Sequence, residues 1–179
     1  MATNLQPVTY AQARSQIQSG DIVFIRNRTG LISRIIQFAT KSHYSHVGIA
    51  FWLTTGDARR LMMVEAQGGT DRRVLNLSYY ENEQLDIVSA PKPWKDVDET
   101  ALSKLGKVPY GYVEAIYVGI REFLLKYFNV NIPREKFPGE ICSEFVAHVY
   151  ELPESNISPQ LLYEELLQQG CEVKIEVRK

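Results

Sequence analysis

The residues in this chain best suited to covalent chemistry are Cys142, His46 and Glu65. Cys142 follows the turn pair Pro138-Gly139, and Cys142, Phe145, Val146 and Val149 then recur at helical spacing. This pattern predicts a short helix with Cys142 in its first turn, on the side facing the core. Free backbone N–H groups and the positive end of a helix dipole favour the thiolate form of a sulfur placed there, and the thiolate is the nucleophile. The plainer reading of a lone Cys on a helix is a small apolar side chain that fills a face.

A thiolate nucleophile needs a base that can carry a proton, and histidine is the usual choice. Three are available: His43, His46 and His148. His148 lies on the predicted Cys142 helix but about 240° around it, which points it elsewhere. His43 and His46 are three apart at the mouth of a predicted strand, so they fall on opposite faces. His46 is the better placed, because it shares a face with Gly48 and Ala50, which leave room for a helix end to approach. The base in turn needs an acceptor on its second nitrogen. Glu65 is an acid inside an otherwise apolar strand, where acids are depleted and costly to bury unpaired. If that strand returns alongside the His46 strand, Glu65 reaches the imidazole and each satisfies the other.

These groups require elements to position them. A short helix over residues 10–17, capped by Thr9, precedes a turn at Ser19-Gly20-Asp21 and an apolar strand over residues 22–25. Residues 31–39 show a helical period. Residues 45–53 and 61–66 read as strands joined at Gly56-Asp57, with shorter strands over 74–77 and 85–89, together an antiparallel meander. Helices are expected over residues 98–107 and 112–128, the latter carrying charges that exclude a membrane span and leave core packing or an interfacial or lid role. A last helix over residues 159–168 ends at Gly170, and residues 173–177 alternate as a terminal strand.

The 179 residues suit one domain with a sizeable core. A net charge of −1 argues against wholesale nucleic-acid binding. Two cysteines are too few for a disulfide framework, and no secretory leader or membrane-length apolar run is present. A cytoplasmic location is the simplest expectation, with export by another route left open. Residues 22–56 contain no acid but include Arg26, Arg28, Arg34 and Lys41. That basic stretch is either a solvated face or a site for a substrate carboxylate or phosphate.

Taken together, Gly20-Asp21-Ile22-Val23-Phe24, Ser42-His43-Tyr44-Ser45-His46-Val47-Gly48-Ile49, Val64-Glu65-Ala66, Gly106-Lys107-Val108-Pro109-Tyr110 and Cys142-Ser143-Glu144-Phe145-Val146 resemble the NlpC/P60 superfamily of papain-like cysteine hydrolases. The order, with the His strand 96 positions ahead of the Cys (142 − 46), is that of its circularly permuted branch, the YiiX/YebB-like group related to lecithin–retinol acyltransferase. The resemblance spans roughly residues 20–150. It implies one α+β domain over residues 1–179, with a papain-like fold. The nucleophile helix would pack on a small antiparallel sheet or half-barrel, and a helical insertion would lie at about 111–138. It implies Cys142 as nucleophile, His46 as base and Glu65 as orienting acid, with no cofactor. Tyr110 would line the cleft, Tyr44, Arg26 and Lys41 would contact substrate, and the Cys142 N–H would supply part of an oxyanion hole. Glu140, beside the nucleophile, departs from that pattern.

The expected reaction is acyl transfer on an amide, with a cell-wall stem peptide favoured and a lipid ester or amide as the alternative. The partner set this implies is a peptide or acyl-lipid substrate, with no nucleic acid and no transmembrane segment, and with membrane-surface contact and oligomeric state left open. A non-catalytic module that keeps the pocket, and a metal site on His43, His46 and Cys142, remain open readings.

Overall fold

The computed structural model describes residues 6–26, 42–66, 72–103, 105–106, 112–133, 141–153 and 157–178. Six strands form one antiparallel sheet: β1 (Ile22–Arg26), β2 (Tyr44–Thr55), β3 (Ala58–Ala66), β4 (Arg72–Asn76), β5 (Gln84–Val88) and β6 (Val173–Val177). Five α-helices accompany it among the described residues: α1 (Tyr10–Ala13), α2 (Asp98–Leu102), α3 (Tyr112–Phe128), α4 (Cys142–Val149) and α5 (Pro159–Gln168). The fold class is therefore α+β.

The strand order is β4-β3-β2-β1-β5-β6. The first four strands follow one another as a meander, but β5 does not extend it past β4. It crosses back to pair with β1, and β6 pairs with β5. The expected single meander is corrected here: strand period reveals which residues are strands, not which neighbour each one takes.

Alternation sorts the strands into two faces. Ile22, Phe24, Val47, Ile49, Phe51 and Val64 pack with α4 and α5 in one core. Val23, Ile25, Ala50, Leu61, Met63 and Leu85 form the second core with α1. Covering both faces explains why β1 reads as a continuous apolar run.

Local chemistry sets the helix bounds. Thr9 caps α1, its backbone N–H and hydroxyl both donating to Gln12 Oε1, but α1 ends at Ala13, short of the expected residue 17. Likewise α2 ends at Leu102, five residues before the expected stop. Helices α3 and α5 have the expected bounds, and Ser158 caps α5 through its side chain. The apolar period over residues 31–39 lies outside the described residues.

Helix α4 is tied down at both ends. The Ser143 hydroxyl donates to the Ile157 carbonyl, just before α5. The Tyr150 hydroxyl donates to the Gly20 carbonyl at 2.6 Å, where the chain enters β1. Gly20 has φ +95°, which favours glycine, and its N–H donates to the Ala50 carbonyl at 2.8 Å. Helix α4 is thus fixed to the same strand pair that carries His46.

Candidate active site

Cys142 is the first residue of α4, with Ile141 at the N-cap position. An isoleucine side chain cannot cap, and the first helical bond runs from the Phe145 N–H to the Ile141 carbonyl at 2.9 Å. The amides of the first turn therefore have no helical carbonyl to donate to. The Cys142 side chain is 5% exposed, packed among Phe145, Val146 and the α4-side core.

His46 lies near the start of β2, opposite Ile25 of β1. Its Nε2 stands 2.8 Å from Oε2 of Glu65. Glu65 and Cys142 are the two groups that raise the proton affinity of the imidazole. Cys142, His46 and Glu65 are therefore brought together from α4, β2 and β3.

The reason expected for His46 needs correction. His46 does share a face with Gly48 and Ala50, but that face carries the second core, not α4. The space at Gly48 is filled by β3. A Cβ built on Gly48 would lie 2.3 Å from Met63 Cε, 2.7 Å from the Val64 carbonyl oxygen and 3.2 Å from Glu65 Cβ. Gly48 admits Glu65 rather than the helix, and Cys142 meets the imidazole near the start of β2.

Glu65 is fully buried and has four donors. Oε2 accepts from His46 and from the Tyr80 hydroxyl at 2.8 Å, while Oε1 accepts from Nε and Nη2 of Arg73, each at 2.8 Å. Burial alone would raise its pKa. The charge and hydrogen bond of His46, the Tyr80 hydroxyl and Arg73 outweigh that and hold it at about 2. Burial would likewise lower His46, but Glu65 and Cys142 raise it to about 9. At neutral pH the site holds an imidazolium against a carboxylate, with Cys142 as the imidazolium's second electrostatic partner.

Tyr80 and Arg73 escaped the sequence reading. Arg73 is the direct cross-strand partner of Glu65 in the β3–β4 ladder, a relation that shows only once the two strands are paired. Tyr80 sits in a 3-10 turn after β4, and nothing local distinguishes it from Tyr79.

The remaining expected site residues fall elsewhere. Arg26 donates to Asp86 Oδ2 through Nε at 2.8 Å and through Nη2 at 2.5 Å. The Tyr44 hydroxyl donates to the same oxygen at 2.6 Å, and Arg178 Nη2 donates to Oδ1 at 2.7 Å. Asp86 is fully buried and Tyr44 nearly so, while the Arg26 side chain is 27% exposed. Both expected substrate contacts are thus partners of a second buried carboxylate. Tyr110 and Lys41, together with Arg28, Arg34 and Glu140, lie outside the described residues. His43 is exposed, its backbone N–H donating to Gln160 Oε1 at 3.3 Å, and stands apart from the site. His148 lines a surface cleft of about 500 Å³ with Lys92, Asp96 and Glu151 at the far end of α4. Cys142 and Cys171 are free thiols.

Among the described residues, no group of three or more His, Cys, Asp or Glu side chains could hold a metal ion. No described helix is long and apolar enough to cross a membrane.

No family model matches the chain, and no curated protein matches it. Among solved structures it is similar to the metalloprotein YiiX from Escherichia coli O157:H7, at 20% identity and a TM-score of 0.40 over 90% of this chain and 88% of that one. A likeness at that level carries no argument about the site.

Proposed function

We propose that this protein is a cysteine hydrolase of papain-like type that works by acyl transfer through Cys142, His46 and Glu65. The observation that carries the reading is the His46 imidazole held at 2.8 Å by a buried, ionised Glu65 while interacting electrostatically with Cys142. A purely structural cysteine has no use for an imidazolium held by such an acid.

In the proposed reaction the Cys142 thiolate attacks the substrate carbonyl carbon. The carbonyl oxygen takes up the electron pair and is stabilised by the Cys142 N–H at the N-terminal end of α4. Collapse breaks the C–N bond, and the proton on His46 passes to the leaving amine. The acyl group now forms a thioester with Cys142. Water then attacks the thioester and gives a proton to His46, and collapse releases the carboxylic acid and restores the imidazolium–thiolate pair. Glu65 keeps its charge throughout and holds the ring in orientation.

An amide substrate, such as a cell-wall stem peptide, is the favoured class, as the NlpC/P60-like motifs suggest. One observation favours a lipid ester or amide as the second reading: Ile120, Leu125, Tyr127 and Phe128 of α3 are all substantially exposed, an apolar surface suited to an acyl chain. The test is turnover of peptidoglycan fragments against acyl-lipid esters, with Cys142→Ala as the control. Amine release that disappears in the variant supports the amide reading. Turnover of lipid esters alone replaces it with the second reading. No turnover of either class, with an unreactive Cys142, leaves a non-catalytic module.

A further inference from the structure

The acid of the site is gripped from the side opposite its base. Arg73 of β4 lies directly across from Glu65 and places both Nε and Nη2 on Oε1, leaving Oε2 to His46 and Tyr80. The guanidinium lies 5.8 Å from the centre of the Tyr79 ring, which lies over its outer side. Its neighbour Arg72 turns to the other face of the same strand. There its guanidinium stacks over Phe145 of α4 at 4.6 Å and donates to the Thr100 carbonyl at 3.2 Å. One edge strand therefore touches both halves of the site: the acid through Arg73 and the nucleophile helix through Arg72.

The chemistry gives the Arg73 contact a purpose. A buried imidazolium–carboxylate pair can shed both charges by moving one proton from ring to acid. The ring would then stand neutral beside the sulfur, with no proton for a leaving group. An arginine on the other carboxylate oxygen opposes that transfer, because its own charge is permanent and favours the anion. Both donors converge on Oε1, which leaves Oε2 to Nε2 of His46 and the Tyr80 hydroxyl.

We propose that Arg73 is a positioning residue: by clamping Oε1 it keeps Glu65 ionised and oriented, so that the proton of the site resides on His46. Its catalytic consequence rests on the hydrolase reading above, whereas its effect on His46 does not. The test is therefore read on the ring itself. Nitrogen NMR of the His46 imidazole at about pH 7 reports whether both ring nitrogens carry protons in wild type, Arg73→Gln and Arg73→Lys, with circular dichroism reporting the fold. The expected result is imidazolium shifts in wild type and Arg73→Lys, and ring shifts moved toward the neutral imidazole in Arg73→Gln as the proton passes to Glu65. A folded Arg73→Gln protein whose ring keeps the wild-type imidazolium shifts overturns the proposal. If Arg73→Gln does not fold, the wild-type protein decides. The Arg73 Nε resonance should then shift with the same midpoint as the His46 ring, and a flat Arg73 resonance across that transition overturns the clamp. Unchanged ring shifts in Arg73→Gln would remove Arg73 alone, whereas the expected change without any turnover would remove the hydrolase reading alone.

Discussion

Nε2 of His46 and Oε2 of Glu65 lie 2.8 Å apart, although the two residues sit on different strands and neither is exposed to solvent by more than a few per cent. The short contact joins two groups that burial would separately neutralise. Each supplies what the other lost on leaving water, and the pair remains charged at neutral pH.

That pairing makes stability depend on pH in a defined way. Glu65 is depressed from 4.5 to about 2, so its contribution is fully present above pH 4.5 and is lost as pH falls toward 2. His46 is raised from 6.5 to about 9, so its contribution is fully present below pH 6.5 and is lost as pH rises through 9. The pair therefore stabilises most between pH 4.5 and 6.5. Urea midpoints should decline from pH 6.5 to 9 in the wild type, and that decline should be reduced in His46→Gln. An identical slope in both proteins would show that the imidazole does not gain its proton affinity on folding.

The two thiols offer an internal comparison. Cys142 and Cys171 are 5% and 8% exposed, so access alone does not separate them. Cys142 has the imidazolium beside it, whereas burial pushes the Cys171 thiol up. Iodoacetamide at neutral pH should label Cys142 at least about tenfold faster, as peptide mapping would report. Glu65→Gln should narrow that gap. Equal labelling of both cysteines would remove the basis for a nucleophile.

Much of this site was legible because its members break local rules. Glu65 is an acid in an apolar strand, and Cys142 opens a helix shortly after the Pro138-Gly139 pair. Such conflicts show in a single stretch of sequence. Tyr80 and Arg73 break no rule, and their importance appears only once β4 is laid beside β3. The same limit governs Arg26 and Tyr44. Residues 22–56 hold no acid, so the Arg26 charge looked available, but its partner Asp86 arrives from 60 positions along the chain. The pairing of β5 with β1 that delivers Asp86 is likewise invisible to periodicity.

The Asp86 cluster gives a separable prediction. Arg26, Tyr44 and Arg178 together satisfy a fully buried carboxylate. Tyr44→Phe removes one of those donors without opening a cavity and should cost about 1–3 kcal/mol in chemical denaturation. On the proposed hydrolase reading, the KM of the folded Tyr44→Phe and Arg26→Met proteins should stay unchanged. A raised KM with unaltered stability would return these two residues to the substrate.

Gly48 supplies the sharpest steric test, because its neighbours differ in how readily they yield. In Gly48→Ala the new methyl would stand 2.3 Å from Met63 Cε and 2.7 Å from the Val64 carbonyl oxygen. The methionine end can rotate aside, but the carbonyl belongs to the backbone of β3 and moves only with the strand. Any such movement carries Glu65, whose Cβ lies 3.2 Å from the added atom, away from His46. Gly48→Ala should therefore lose about 1–3 kcal/mol of stability and lower the His46 titration midpoint as well. Adding Met63→Ala should relieve the first clash only, leaving the midpoint depressed. A double variant that recovers the wild-type midpoint would mean that β3 tolerates the methyl, and that Gly48 is not what sets the distance between base and acid.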